Sequence, residues 1–352
     1  MQIQERAVPA RKTDVDVCKG LLTLLVVLGH CIQYGMGQEY RETDAYFDNF
    51  LYRTIYCFHM PAFMIISGYF FANSCKKTAS IPQMLKKRIL SMLIPISSWS
   101  VIAAVVGIQR GEVTLSLFSV LKSIAIQWIF SLRFLWAVVF GMLVTCMWNY
   151  WLKRNKAGMA AIILLFIITP DSFNLHLYKF TFPFFLLGFR LYERKNILLD
   201  CFSIKSKKSV IMFLTAVVLL VISVGLYDRS MFVYNTGITI LNKEYLKQIY
   251  IDIVRWLVAA VGCYVFFVLS YYINKILVCF SHAERGIAYI GKNSISFYIL
   301  SVVVLNKYIL IDLQIAGNDF LLLKMGIILA ICALFASVTK KSEIISCILW
   351  GK

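Results

Sequence analysis

The sequence predicts an all-α integral membrane protein with about ten transmembrane helices in one bundle. Two observations lead to this fold class. Of the 352 residues, 60% are hydrophobic and 15% are charged, whereas soluble domains carry about 25% charged residues. In addition, apolar runs close to the ~20 residues that cross a bilayer as a helix recur along the chain.

The predicted spans are apolar runs of roughly that length. They cover residues 16–36, 51–72, 89–107, 134–152, 158–170, 177–193, 209–227, 251–273, 287–310 and 320–339. The stretch 114–130 is also apolar but carries Lys122 and several serines, so we expect an interfacial or re-entrant helix there. The fifth span is short and ends at Pro170, as in a broken or tilted helix.

The net charge of +18 lies in short loops between the apolar runs. No basic segment is large enough to form a nucleic-acid face, so we expect no nucleic-acid partner. With a cytoplasmic N-terminus, 24 of the 36 lysines and arginines fall on the cytoplasmic side. This bias predicts that both termini, the tails 1–15 and 340–352, are cytoplasmic.

The chain shows no internal repeat and no linker rich in proline, glycine or serine. A single integral-membrane domain over residues 1–352 is therefore expected. The polar segment Met1 to Asp16 lacks the apolar core and cleavage site of a signal peptide, which predicts that the first apolar run is retained as a span.

The ten cysteines are scattered singly, and no CxxC occurs. Most fall inside apolar runs, which favours packing between helices over a disulfide framework or a zinc site. They are Cys18, Cys31, Cys57, Cys75, Cys146, Cys201, Cys263, Cys279, Cys332 and Cys347.

Two of the four histidines, His30 and His59, lie within the first two predicted spans. His30 is about 21 Å above Asp16, and His59 is about 12 Å below the outer end of its span, at 1.5 Å per residue. Both therefore fall in the outer half of a hydrocarbon core of about 30 Å. Ionisable groups at this depth are costly and are candidates for function.

Lys19 precedes His30 by 11 residues, which returns almost to the same helix face, about 16 Å lower. Asp16 falls on this face one turn below Lys19. This helix face, called the stripe, places the cation Lys19 at the cytoplasmic end of the span and the candidate general base His30 deep inside it. Coenzyme A has that shape, and the unperturbed histidine pKa of about 6.5 suits proton transfer from a hydroxyl.

Simpler interpretations stay open for each residue alone. A histidine in a membrane helix can simply form a hydrogen bond with a neighbouring helix. The Lys19 side chain can extend its amine to the membrane surface. A metal site would need a third ligand, and none has fitting spacing.

Two motifs resemble those of the acyltransferase family 3 membrane proteins. In the first helix, Asp16-Val17-Cys18-Lys19-Gly20 leads to Gly29-His30, and Lys19 meets the family's spacing of a basic residue, ten positions and a histidine. In the second helix, the run from Phe58-His59-Met60-Pro61 to Ser67-Gly68-Tyr69 is similar to the family's second motif. The closest likeness is to the fucose 4-O-acetylase-like sugar O-acetyltransferases.

Weaker likenesses extend along most of the chain. They are Lys86-Lys87-Arg88 before Pro95, Phe134-Leu135-Trp136, Phe182 to Tyr192 with Gly188, and Gly291-Lys292-Asn293-Ser294 before Tyr298. The chain departs from the family pattern at Ser91, where a second basic residue is usual, and at Ser301, where a histidine is common.

The resemblance implies transfer of an acyl group, usually acetyl, from cytoplasmic acyl-coenzyme A. The acceptor would be a hydroxyl of a cell-envelope glycan, such as O-antigen or capsule, or of its lipid-linked precursor. It also implies a bacterial inner membrane, contact with membrane lipid and no metal.

The resemblance also implies roles for individual residues. His30 would be the general base or proton relay, and His59 would position the acceptor or tune His30. Coenzyme phosphates would meet Lys19 and Arg88, aided by Lys86 and Lys87. Acceptor contacts would come from Arg133, Trp136 and Asp16, with Arg133 also placed to stabilise an oxyanion.

Other mechanisms and functions remain at this stage. An acyl-enzyme on His30 or the adjacent Cys31 is an alternative to direct transfer, although Cys31 points about 100° away on the helix. A secondary transporter or flippase of sugars or small anions would also use buried polar residues, but no inverted repeat is visible. A third hypothesis is that the protein is a scaffold subunit of an envelope-polymer complex.

Overall fold

The computed structural model describes residues 13–34, 43–194, 202–227, 229–232, 244–303, 305 and 320–351. These residues are helical and contain no strand. Residues 1–12 of the predicted N-terminal tail, residues 35–42 at and beyond the end of the first predicted span, and Cys201 lie outside the described residues.

The helices are numbered here in chain order. They are α1 (Thr13–Tyr34), α2 (Asp44–Asp48), α3 (Phe50–Lys77), α4 (Ile81–Gln109), α5 (Leu117–Phe130), α6 (Arg133–Cys146), α7 (Lys156–Ile168), α8 (Leu175–Arg194), α9 (Lys207–Gly225), α10 (Tyr245–Leu277), α11 (Ser281–Lys292), α12 (Ser294–Leu300), α13 (Leu321–Thr339) and α14 (Glu343–Trp350). A π-helical turn, Met147–Trp151, extends α6, and short 3₁₀ turns precede α8 and follow α9.

The described part of the chain has the helices of a multi-pass membrane protein. Seven are long and apolar enough to cross a bilayer, and the bent pair of α11 and α12 makes up to eight. Of the other two predicted spans, α7 has only 13 residues and α8 carries charged residues near both ends. The count of ten spans and the orientation of the termini stay predictions.

The predicted span 287–310 is not one continuous helix. The chain bends by 69° between α11 and α12, because Asn293 leaves the helical conformation with φ −111° and ψ 17°. The amine of Lys340 donates to the side-chain oxygen of Asn293 and holds this corner. Residues 306–310 of the prediction lie outside the described residues.

The first two spans form the centre of the bundle. In both α1 and α3, 72% of the apolar window is buried, against 17% in α9 and 22% in α13. Glycines allow the central helices to touch at the backbone, as in many membrane proteins. A Cβ on Gly68 of α3 would lie 1.9 Å from the Phe185 carbonyl oxygen of α8, and one on Gly291 of α11 would lie 1.7 Å from that of Asp16.

The apolar stretch predicted to be interfacial or re-entrant forms α5. Its 14 residues include none that is buried, and they span only about 21 Å at 1.5 Å per residue. Leu117 and Phe118 are largely exposed. A short helix with exposed apolar side chains matches the predicted interfacial position better than a full span.

The C-terminal segment, predicted as a cytoplasmic tail over 340–352, contains a helix. Ser342 caps α14 by accepting from the Ile345 amide. Trp350 is 1% exposed, packs 5.6 Å from the Trp99 ring of α4 and donates to the Thr339 hydroxyl over 3.0 Å. This short helix therefore packs against α4 and α13 through Trp350.

Candidate functional site

A cavity of about 920 Å³ lies between the central helices. Its walls come from α1, α3, α4, α5, α6, the start of α8 and the segment after the bend, α12. This volume lies within the range of about 300–1,000 Å³ that is usual for small-molecule sites. Five of the predicted site residues line it: Lys19, His30, His59, Arg88 and Arg133.

The stripe predicted on α1 forms one wall of the cavity. Lys19, Thr23, Val26 and His30 all line it, as expected for positions that repeat along one helix face. Asp16, one turn lower, does not. It is buried where the backbone of α1 meets Gly291 of α11, and this close helix contact takes it away from the cavity.

Two cations mark one end of the cavity, and both are anchored to neighbouring turns of α3. The Lys19 amine lies 5.8 Å from the centroid of the Phe70 ring. The Arg88 guanidinium donates to the hydroxyl of Ser74, one turn further along α3. Lys86 and Lys87 are exposed and do not line the cavity, because successive helix residues are rotated by about 100° from one another.

The two histidines lie deeper and are buried, with 8% exposure for His30 and 6% for His59. The Nδ1 atom of His59 lies 2.9 Å from the Ile55 carbonyl oxygen. A carbonyl only accepts, so Nδ1 carries the proton and the neutral ring presents Nε2 as an acceptor. His59 also lies within electrostatic range of His30, in line with their predicted similar depth.

His30 has a different environment. Its Nδ1 is buried and has no hydrogen-bond partner among the described residues. Its ring centroid lies 6.2 Å from that of Tyr34 and 6.3 Å from that of Tyr298. Tyr34 and Tyr298 thus lie near His30 with their rings tilted relative to the imidazole, and His30 itself lines the cavity.

Gln33 and Tyr56 complete this end of the cavity and were missed by the sequence interpretation. The Tyr56 hydroxyl donates to Gln33 Oε1 over 2.6 Å, and its ring packs edge-on against His59 at 4.6 Å. A signal was present, since Gln33 follows His30 by three residues and Tyr56 precedes His59 by three, which puts each on the same helix face.

An apolar stretch separates the two polar ends. The Phe63 ring lies 5.4 Å from that of Phe134, which in turn lies 5.8 Å from that of Tyr298. The cavity therefore runs from a cationic end, past aromatic walls, to a buried end with histidine, amide and phenol groups. A long ligand with a charged head and an apolar arm fits this order.

Arg133 and Trp136, predicted as acceptor contacts, separate in the structure. Arg133 lines the cavity, and its Nε donates to the Phe130 carbonyl over 2.9 Å. Trp136 does not line it. Its indole donates to the Trp128 carbonyl over 2.8 Å and packs against the Trp128 ring at 4.6 Å, so it joins α5 to α6.

Ser91 and Ser301, at the two positions that depart from the family pattern, each donate their hydroxyl hydrogen bond to the carbonyl three residues earlier. Ser91 donates to the Arg88 carbonyl over 2.8 Å, and its own carbonyl lies against Gly351 after α14. Ser301 is buried and donates to the Tyr298 carbonyl over 3.0 Å. Among the described residues, no group of three or more His, Cys, Asp or Glu side chains is arranged to hold a metal ion.

Sequence comparisons agree with the resemblance in the first two helices. Nodulation protein NolL of Sinorhizobium fredii is 28% identical over 244 residues, which cover 68% of this chain and 64% of that protein. Nodulation protein NolL of Mesorhizobium japonicum is 28% identical over 185 residues, which cover 51% of this chain and 47% of that protein. The chain thus spans between about half and two thirds of the length of these curated relatives. No solved structure matches.

The family comparison covers nearly the whole chain. The model of the acyltransferase 3 family, described as an acyltransferase domain, matches residues 12–339. This range includes α1 and α3 with their histidines and every helix that lines the cavity. The protein belongs to the acyltransferase 3 family.

Proposed function

We propose that the protein is a membrane O-acetyltransferase. It moves an acetyl group from cytoplasmic acetyl-coenzyme A to a hydroxyl of a cell-envelope sugar or its lipid-linked precursor. The observation that carries this proposal is the single cavity that joins Lys19 and Arg88 at one end with His30 and His59 at the other. Membership of the acyltransferase 3 family supports the reaction class.

The cationic end suits the phosphate groups of coenzyme A. Arg88 is half-buried and already oriented by Ser74, which leaves its remaining N–H groups for phosphate oxygens. Lys19, over the Phe70 ring, adds a mobile point charge. The aromatic walls then accommodate the apolar pantetheine arm, with the thioester towards the histidines. Exposed Lys86 and Lys87 contribute only through long-range charge.

The buried end suits the transfer itself. In the proposed step, Nε2 of His30 takes the proton of the acceptor hydroxyl as the hydroxyl oxygen attacks the thioester carbonyl. The tetrahedral intermediate then collapses, the C–S bond breaks, and the proton passes from the imidazolium to the departing coenzyme A thiolate. His59, Gln33 and Tyr56 hold the acceptor by hydrogen bonds, and Arg133 stabilises negative charge nearby.

The proposed topology places the donor on the cytoplasmic side. With both termini cytoplasmic, α1 rises from the inner face, so Lys19 lies near the cytoplasm and His30 in the outer half of the bilayer. The same orientation, ten spans and a bacterial inner membrane complete the proposal. The acceptor then approaches the histidines from the side opposite to coenzyme A.

The test uses protein in lipid nanodiscs with radiolabelled acetyl-coenzyme A and envelope glycan from the producing cell. We expect His30→Ala to lower the acetylation rate by about 10²–10⁴-fold, the usual contribution of a general base. His282→Ala is the matched control, because His282 is exposed and outside the cavity. Wild-type rates in the His30 variant would overturn the assignment, and sugar transport without use of acetyl-coenzyme A would replace the function.

A further inference from the structure

A second buried polar cluster lies at the N-terminal ends of α8 and α10, outside the cavity. One pair is Lys179 with Asp171, whose Nζ and Oδ1 are 2.9 Å apart. The other is Arg255 with Asp252, whose Nη1 and Oδ1 are 3.5 Å apart, and these two side chains are 1% and 4% exposed. Charged groups buried in a membrane protein are costly and mark candidate sites.

Arg255 is only partly satisfied by its neighbours. Its Nη1 faces Asp252, Tyr227 is a further hydrogen-bonding neighbour, and its guanidinium carbon lies 3.9 Å from the centroid of the Phe180 ring. Its Nε and Nη2 atoms are buried and have no hydrogen-bond partner among the described residues. These two nitrogens form one edge of the planar guanidinium, the edge that binds carboxylate or phosphate through two parallel hydrogen bonds.

The carboxylate beside Arg255 does not fill this edge. Asp252 accepts from Gln248 Nε2 over 3.3 Å with its other oxygen and meets only Nη1 of Arg255. Burying two N–H donors of a charged group in a low-dielectric region without acceptors costs free energy. The cluster is therefore incomplete on the Nε–Nη2 side, and an oxyanion is the group that completes it.

His176 supplies, in the same cluster, a further nitrogen with no hydrogen-bond partner among the residues that the structure describes. Its Nδ1 faces the Asp171 carbonyl oxygen at 3.4 Å, and its Nε2 is buried with no partner in the described part of the chain. Arg255 and Arg133 both lie within electrostatic range of this ring. A bound oxyanion would favour the protonated ring, which then donates from Nε2.

Position points to the acceptor as the source of the anion. Arg133 and Arg255 both lie within electrostatic range of His176, so the cluster has cationic groups that suit an anion. Arg133 and Leu177, the residue after His176, line the main cavity. The cluster thus adjoins the wall at the Arg133 end, and in the proposed topology α8 and α10 begin at the outer face.

We propose that the Nε–Nη2 edge of Arg255, together with His176, binds a phosphate or carboxylate group carried by the sugar acceptor. This deepens the proposed function and rests on it, since it selects acidic or phosphate-bearing sugars over neutral ones. Anchoring the anionic group here would hold the neighbouring sugar against Arg133 and the histidine end of the cavity.

The test is a thermal-unfolding titration of the purified full-length protein in neutral detergent at constant ionic strength. Saturating coenzyme A occupies the cationic end, and the probes are inorganic phosphate, glucuronate and, as the neutral control, glucose. We expect phosphate or glucuronate, but not glucose, to raise the unfolding temperature. Arg255→Lys keeps the charge but loses the two-bond edge, and it should weaken the apparent affinity for the anion by about tenfold.

Three further measurements keep the result interpretable. The Lys19→Gln/Arg88→Gln double variant should retain the anion response, because those cations lie at the other end of the cavity. If Arg255→Lys does not fold, as judged by its response to coenzyme A, His176→Gln carries the test and should also weaken the response. Micelles with phosphatidylglycerol, compared with phosphatidylcholine, show whether a lipid headgroup is the source.

The outcomes separate this site from the proposed function. A response to phosphate or glucuronate that depends on Arg255 supports the site, even if the protein fails to transfer acetyl groups. A response to phosphatidylglycerol alone overturns the acceptor as the source. The absence of any Arg255-dependent response overturns the site and leaves the proposed acetyl transfer untouched.

Discussion

The two ends of the main cavity use polar groups in opposite ways. At one end, Lys19 and Arg88 are half-buried and contact the side chains of Phe70 and Ser74 of α3. At the other, His59 and Tyr56 are fixed by hydrogen bonds to Ile55 and Gln33. Under the proposed function, the first end recognises the charge of the donor, whereas the second end fixes the geometry that the transfer step requires.

Removing the two positive charges at the first end of the cavity should have the largest effect on activity. We expect Lys19→Gln combined with Arg88→Gln to raise the KM for acetyl-coenzyme A by about 10–100-fold, equivalent to roughly 1.4–2.8 kcal/mol, with little change in kcat. Steady-state kinetics with varied acetyl-coenzyme A measures this. Lys86→Gln combined with Lys87→Gln is the matched control, and an equal rise in that variant would assign the effect to general surface charge.

Replacing His59 should have a smaller effect on activity. His59→Asn keeps an amide near the position of Nδ1, which faces the Ile55 carbonyl, but removes the group at the position of Nε2. We expect the kcat/KM for the acceptor to fall by about tenfold, with the KM for acetyl-coenzyme A unchanged. His59→Gln, which restores an amide near Nε2, should recover part of the loss. An unaltered acceptor kcat/KM in His59→Asn would remove His59 from the site.

The smallest effect should come from the tyrosine that supports this end. Tyr56→Phe deletes the 2.6 Å hydrogen bond to Gln33 and keeps the ring that packs on His59. A loss of about 0.5–1 kcal/mol, or roughly threefold in acceptor kcat/KM, is expected. Tyr192→Phe is the control, since it deletes a comparable hydrogen bond to Asn73 away from the cavity. Equal losses in both variants would indicate a general packing defect.

The interpretation of the sequence succeeded where a single helix carries the information. Lys19 and His30 share one face of α1 because 11 residues make almost three whole turns, and both line the cavity. A pattern within one helix does not specify the contacts that neighbouring helices decide. Asp16 follows the same periodicity but is covered by α11, and Trp136 lies on a cavity helix yet bonds to α5.

The Arg255 cluster shows the same limit more strongly. Asp252 and Arg255 are visible in an apolar run as an i,i+3 pair, which predicts mutual neutralisation on one helix. The ion pair with Asp252 involves only the Nη1 atom of Arg255. The Phe180 ring of α8 lies 3.9 Å from the guanidinium carbon, and no local pattern in α10 specifies that contact.

Composition and periodicity by themselves determined the helical membrane class, the apolar runs and the matched face of Lys19 and His30. These properties depend on transfer of side chains into lipid and on helix geometry, which are local. The tertiary structure alone decided that one cavity joins the two ends, that Asn293 bends the ninth predicted span, and that Gln33 meets Tyr56. Those features depend on backbone contacts between helices, such as the glycine approaches of α3 with α8 and α1 with α11, which bring distant residues together.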